Sequence, residues 1–174
     1  MISTPDDRDE PVSIIIIMGV SGCGKTIIGT TLADKLGWKF IESDSYHSKE
    51  DIRKISYSIP LTDANRWPWL KQLHSLLAEK QAEGIPVVIA CSTLKESYRK
   101  MLCGDLRGCE YVYLKGKYNL ILERMRQRDH FMKPAMLRSQ FNILEEPEDA
   151  LTVQINQPVD QIIEKIISRF SLEK

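Results

Sequence analysis

Apolar runs alternate with amphipathic stretches along the 174-residue chain. That is the pattern produced when βαβ units lay helices on both faces of a parallel sheet. The runs at 13–18 and 86–91 (Pro-Val-Val-Ile-Ala-Cys) lack polar alternation, as strands covered on both faces require. Shorter runs at 38–41, 109–114 and 151–155 bring the expected strands to five. Helical periodicity marks 24–36, closed by Gly37, and 63–83, closed by Gly84, with Trp69, Leu73, Leu76 and Leu77 on one face. A third helical pattern covers 120–128. The last helix opens at Pro158 and carries Ile162, Ile163, Ile166, Ile167 and Phe170 as a core-facing stripe. Two polar insertions, 43–62 and 128–149, interrupt the alternation. Both are expected at the carboxyl edge of the sheet, where open α/β folds bind ligands.

The first apolar run leads directly into Gly19-Val20-Ser21-Gly22-Cys23-Gly24-Lys25-Thr26, a complete G-x-x-x-x-G-K-[ST] loop followed by a helix. Glycines at these positions let the backbone turn its N–H groups inward, and the helix N-terminus adds its dipole, so the segment forms a cradle for nucleotide phosphates. Gly19, Ser21, Gly22, Cys23, Gly24, Lys25 and Thr26 are the expected nucleotide contacts, with Lys25 reaching the β- and γ-phosphates and Thr26 a ligand to Mg²⁺. ATP and Mg²⁺ are the implied cofactors. A thiol at a helix N-terminus can have a lowered pKa, so Cys23 is expected to react with alkylating reagents and to be protected by ATP.

The second strand ends Phe40-Ile41-Glu42-Ser43-Asp44. In extended chain, residues i and i+2 point the same way, so Glu42 and Asp44 are expected to converge beside the phosphate loop. Phosphoryl transfer to a hydroxyl needs a carboxylate at the acceptor and a metal ion on the phosphates. Asp44 is the candidate base, and Glu42 is placed near the metal. No apolar strand ends in the aspartate that holds the metal of motor-type ATPases, since the 86–91 run continues into Ser92-Thr93. Arg124 and Arg128 lie four residues apart on one helical face. They are expected to close with the second insertion, a lid, onto the γ-phosphate, with Arg124 also on the nucleotide.

Composition narrows the field. With 24 basic and 24 acidic residues the net charge is zero, without the basic footprint of a nucleic-acid binder. Four cysteines, Cys23, Cys91, Cys103 and Cys109, show no C-x-x-C pair, so neither a structural metal nor a disulfide is expected, and a reduced cytoplasmic setting follows. No apolar stretch has the length of a membrane span. Residues 1–11 are polar and acidic, read as a disordered lead-in to a single domain over 12–174.

Several separated blocks together resemble the gluconate kinases, small phosphate-loop enzymes related to shikimate and nucleoside monophosphate kinases. Besides the loop, they are Phe40 to Asp44 with His47, Pro60-Leu61-Thr62-Asp63 with Arg66 and Pro68-Trp69-Leu70, and Ala90-Cys91-Ser92-Thr93-Leu94-Lys95 with Tyr98-Arg99. His130-Phe131-Met132 and Ser139-Gln140-Phe141, ending in Leu144-Glu145-Glu146-Pro147, complete the set. The resemblance implies a three-layer α/β sandwich of the phosphate-loop NTPase type with a five-stranded parallel sheet in order 2-3-1-4-5. It further implies a homodimer and ATP-dependent phosphorylation of D-gluconate to 6-phospho-D-gluconate. Asp44, His47, Lys54, Arg66, Arg99 and His130 are then the candidate substrate contacts, because a polyhydroxy acid asks for cations at its carboxylate and hydrogen-bonding groups along its hydroxyls. The chain departs from the family pattern at Ser43, Ser58 and Asp129, where the family has glycine, and at Asn65, where it has an acidic residue. Two alternatives stand beside this one: a kinase of another small acceptor, such as shikimate or a nucleoside monophosphate, and a nucleotide-binding regulator without turnover.

Overall fold

The computed structural model describes residues 10–128 and 133–173. Most of the expected lead-in, and His130 in the second insertion, lie outside the described residues. Strands β1 (Ile14–Met18), β2 (Lys39–Glu42), β3 (Val87–Ala90), β4 (Cys109–Lys115) and β5 (Leu151–Gln154) form one sheet in the order β2-β3-β1-β4-β5. Every neighbouring pair is parallel, which is the expected topology. The chain leaves β1 toward one edge of the sheet and crosses after β3 to the other, so the carboxyl end of β1 lies where the connections diverge. Open α/β sheets bind their ligands at such a point.

The four consecutive isoleucines of β1 divide between two cores. Ile15 and Ile17 pack with Val88, Val112 and Val153 under α1 (Lys25–Leu36) and α7 (Val159–Phe170). Ile14 and Ile16 pack with Val87, Ile89 and Ile41 under α3 (Asp63–Ala82) and α4 (Glu96–Cys103). Period-two alternation in a strand covered on both faces requires this division. Gly37 caps α1 in the left-handed region, φ 69°, as expected. The stripe on α3 is Trp69, Leu70, Leu73 and Leu77, with Leu76 only partly buried.

Both insertions carry helices that the apolar pattern did not predict. The first holds α2 (Lys49–Ser56) and the second α6 (Pro134–Ile143), with α5 (Tyr118–Arg126) preceding it. Helix α2 has local signals: the Ser48 hydroxyl accepts from the Asp51 N–H, and acidic residues open it where basic ones close it. Asn65 also has a local role. It forms a capping box with Thr62, its Oδ1 accepting from the Thr62 N–H at 3.0 Å while Thr62 Oγ1 accepts from the Asn65 N–H at 3.3 Å.

One expectation about the cysteines is corrected. Cys103, the last residue of α4, and Cys109, the first of β4, form a disulfide with Cα atoms 6.4 Å apart. No zinc or redox spacing announced it; the turn between the two elements brings the thiols together. Cys23 and Cys91 are free and buried. Among the described residues, no helix is long and apolar enough to cross a membrane.

Candidate active site

Beyond β1 the loop turns back beneath α5. Gly22 has φ 80°, and a Cβ there would come within 2.5 Å of Met125 Cγ, so both backbone and space demand glycine. Gly24, at φ 102°, is the N-cap of α1. The loop borders a cleft of about 320 Å³ lined also by Arg124, Arg128, Gln157 and the apolar Ile155 and Val159. Arg124 is aimed by a hydrogen bond from Nη2 to the Ile155 carbonyl at 3.0 Å. Lys25 Nζ donates to the Val20 carbonyl at 3.0 Å, folded back over its own loop. The Ser21 N–H donates to Gln140 Oε1 at 2.6 Å, both residues being buried. That bond ties the loop to α6.

Cys23 does not offer the reactive thiol expected of it. It is 2% exposed, and burial pushes its thiol pKa up against the opposing pull of the Lys25 charge. Desolvation disfavours the thiolate more than the helix N-terminus and the neighbouring lysine favour it.

At the end of β2, Thr26 Oγ1 donates to Glu42 Oε2 at 2.5 Å. Partial burial raises the Glu42 carboxyl above its ordinary range, with the Thr26 hydrogen bond opposing and the Asp44 charge adding to the rise. Glu42 and Asp44 are therefore neighbours, but not for the reason of extended-chain alternation. The strand stops at Glu42, and Asp44 stands in a 3₁₀ turn, Ser43–Tyr46. Its side chain is half exposed. The turn is fastened from α3, where Trp69 Nε1 donates to the Ser43 carbonyl at 3.0 Å.

The starts of α3 and α4 meet in a cluster of polar side chains. Tyr98 donates its hydroxyl to Asp63, and Lys95 Nζ reaches the same carboxylate at 3.1 Å. Burial, and after it the Asp63 hydrogen bond, push the Tyr98 phenol up to about 12. Arg66 is buried, its Nε donating to the Leu61 carbonyl and its guanidinium lying 5.3 Å from the centroid of the Tyr98 ring. Lys54, on α2, is paired with Glu50 at 3.3 Å.

Arg99 is engaged elsewhere than its expected place among substrate contacts. It donates from Nη1 to the carbonyls of Thr93 and Leu94 at 2.8 and 3.3 Å, and from Nη2 to the Glu145 carbonyl at 3.0 Å. It clamps the segment after β3 to the chain returning from α6, aided by the Glu145 N–H bond to the Leu94 carbonyl at 2.8 Å.

The shikimate kinase family model matches residues 21–170. A gluconokinase of Gluconobacter oxydans is 39% identical, with 91% of this chain and 92% of that protein covered. The thermosensitive gluconokinase of Escherichia coli is also 39% identical, over 86% of this chain and 83% of that one. The crystal structure of a gluconokinase from Sinorhizobium meliloti superposes with a TM-score of 0.80 at 40% identity, covering 92% of each chain. This chain belongs to the gluconokinase family.

Within this gluconokinase-family fold, residues at the cleft went unassigned by pattern alone. Gln157 and Val159 sit at the start of α7, whose sequence shows only a helix N-terminus with an apolar stripe. Trp69 was legible as core but not as the donor that holds the Asp44 turn. Gln140 reaches the loop across 119 residues, a distance over which no local signal operates.

Proposed function

We propose that this chain transfers the terminal phosphoryl group of ATP to the 6-hydroxyl of D-gluconate, releasing ADP and 6-phospho-D-gluconate. The observation that carries the proposal is the meeting, at one edge of the sheet, of an anion cradle at the start of α1 with the Thr26–Glu42 pair and the half-exposed carboxylate of Asp44. ATP phosphates fit the cradle, with Lys25 exchanging the Val20 carbonyl for phosphate oxygens. The base fits the cleft against Arg124, Gln157 and the apolar rim. Thr26 and Glu42 supply oxygen donors suited to Mg²⁺. Phosphate oxygens and water would supply most of the remaining ligands. Bound there, the ion would offset the negative charge of the transferring phosphoryl group.

In the acceptor half, Asp44 takes the proton of the 6-hydroxyl as its oxygen bonds to the γ-phosphorus, and the bond from that phosphorus to the β,γ-bridging oxygen breaks. Arg124 and Arg128 offset charge on the transferring group. Arg66, Lys54 and His130 are the cations we assign to the gluconate carboxylate and hydroxyls. A family-type homodimer belongs to the same proposal, and sedimentation equilibrium tests it.

The decisive measurement is ADP release by the purified chain with ATP and Mg²⁺, alone and with D-gluconate, shikimate or nucleoside monophosphates. Release that depends on D-gluconate is the expected result. Release with another acceptor alone would replace the substrate, and ATP binding without acceptor-dependent release would make the chain a regulator.

A further inference from the structure

One side chain beside Asp44 is buried in a way that packing does not explain. The His47 side chain is 4% exposed, and its ring stacks on Trp69 with centroids 4.2 Å apart and planes 18° apart. Its Nδ1 is buried and has no hydrogen-bond partner among the described residues. Leaving a buried polar atom unpaired costs free energy, and natural proteins tolerate it where the group is needed for something else. A leucine or phenylalanine would fill the same slot against Trp69 without that cost. What the imidazole adds is Nε2, which stands 3.6 Å from Asp44 Oδ1.

The surroundings aim that nitrogen. Trp69 lies in the core with Leu70 and Leu73, so it is a fixed platform. Its indole N–H holds the Ser43 carbonyl at 3.0 Å, and its ring face holds the imidazole. The His47 N–H closes the turn on the Asp44 carbonyl at 3.3 Å. One tryptophan thus fixes both the backbone before Asp44 and the side chain that faces its carboxylate.

We infer that His47 is a positioning residue for Asp44, its Nε2–H holding the carboxylate toward the acceptor hydroxyl while Trp69 holds the imidazole. The inference rests on the reading of Asp44 as the group that receives the hydroxyl proton. It gives His47 a role other than direct contact with gluconate, since its ring is covered and acts through Asp44. No proton moves through the imidazole: Nε2–H donates to the carboxylate and keeps its proton. A separation of 3.6 Å is long for a hydrogen bond, and contacts of this kind shorten when substrate completes the site.

The test is a kinetic double-mutant cycle on the full chain, with kcat and both KM values measured for His47→Leu, His47→Gln, Asp44→Asn and the pair Asp44→Asn with His47→Leu. His47→Leu is expected to lower kcat by about ten- to a hundredfold and to leave KM for ATP within about twofold. His47→Gln, which returns an N–H near the position of Nε2, recovers most of the loss. In the Asp44→Asn background, His47→Leu costs little more, because the group it positions is already gone. The same fold-loss in both backgrounds overturns the inference, as does a glutamine variant no better than leucine. Near-wild-type turnover in Asp44→Asn alone is a different failure, which removes Asp44 as base. Should His47→Leu not fold, His47→Phe, which keeps the stack on Trp69 and drops only the ring nitrogens, takes its place in the cycle: a loss of kcat, at unchanged KM for ATP, that vanishes in the Asp44→Asn background supports the inference, and unchanged kcat counts against it.

Discussion

The phosphate loop and the turn that carries Asp44 sit at the same edge of the sheet, yet they are built differently. The loop is eight consecutive residues running from the end of β1 into the first turn of α1, shaped mainly by its own glycines and by the strand and helix on either side. The Asp44 turn is held by Trp69 from 26 residues away, and the starts of α3 and α4 are joined by Asp63 and Tyr98, 35 residues apart. A contiguous site carries its geometry in its own backbone, whereas an assembled site depends on the core that brings its pieces together. Substrate specificity in a family sharing one nucleotide half can therefore change through the assembled half alone.

The largest effect that would break this contrast comes from within the loop. Lys25→Ala is expected to lower kcat by about a thousandfold while circular dichroism and thermal midpoint stay near wild type, since the only hydrogen bond described for the Lys25 ammonium is to its own loop. Unfolding of that variant would show the loop to be less self-contained than its sequence suggests.

A side chain of α6 ties the loop across the fold, and cutting that tie sharpens the comparison. Gln140→Met keeps the bulk of the side chain but leaves the buried Ser21 N–H without its 2.6 Å partner. We expect KM for ATP to rise about tenfold, the equivalent of one such bond, while KM for gluconate is unchanged. A parallel rise in both would mean that α6 serves the two halves equally.

A smaller, stabilising effect is expected in the first insertion. Ser58 follows α2 with φ 57°, in the left-handed region that an L-residue occupies at a cost of about 1 kcal/mol. Glycine stands here in the family pattern, and Ser58→Gly should recover part of that cost, measured by urea unfolding. An unchanged or lowered stability would mean that the gain is lost to the greater freedom of the unfolded chain.

The smallest effect is a pH dependence where α3 and α4 begin. The Tyr98 hydroxyl, and after it Lys95, hold the Asp63 carboxyl below its ordinary value of 3.8. A carboxyl with a lower pKa folded than unfolded adds stability above its unfolded value and loses it as pH falls through the folded one. Below about pH 4 the wild-type chain should therefore lose a small increment of stability that Asp63→Asn never has. Unfolding curves on either side of that pH check it; parallel losses in the two proteins would remove Asp63 as the source. Because Asp63 is solvent-exposed, screening keeps the increment small.

How much was legible varies with sequence distance. The strands, their parallel pairing and the helix after the loop follow from apolar runs and glycines whose meaning is local, whereas the strand order came with the resemblance to the gluconate kinases. Helix α2 had a legible N-cap in Ser48 with acidic residues behind it, but its short apolar content hid it inside a polar insertion. Cys23 was misjudged because helix-end electrostatics can be seen in sequence and complete burial cannot. Arg99 was grouped with substrate cations on its charge and on the likeness of its block to the gluconate kinases. Its actual partners are three backbone carbonyls, two of them in the segment after β3 and one beyond α6.

By itself, the sequence determined that a strand, an anion cradle and a helix follow one another, that five such strands form a parallel sheet, and that carboxylates stand near the cradle. Those properties depend on backbone freedom, period and order, which neighbouring residues set among themselves. Only the tertiary structure decided that Cys103 bonds Cys109, that Arg99 clamps backbone, that Gln140 grips the loop and that His47 is pressed between Trp69 and Asp44. The role of a polar side chain is set by which groups desolvate it and which accept its hydrogen bonds, and in a folded chain those groups come from distant sequence.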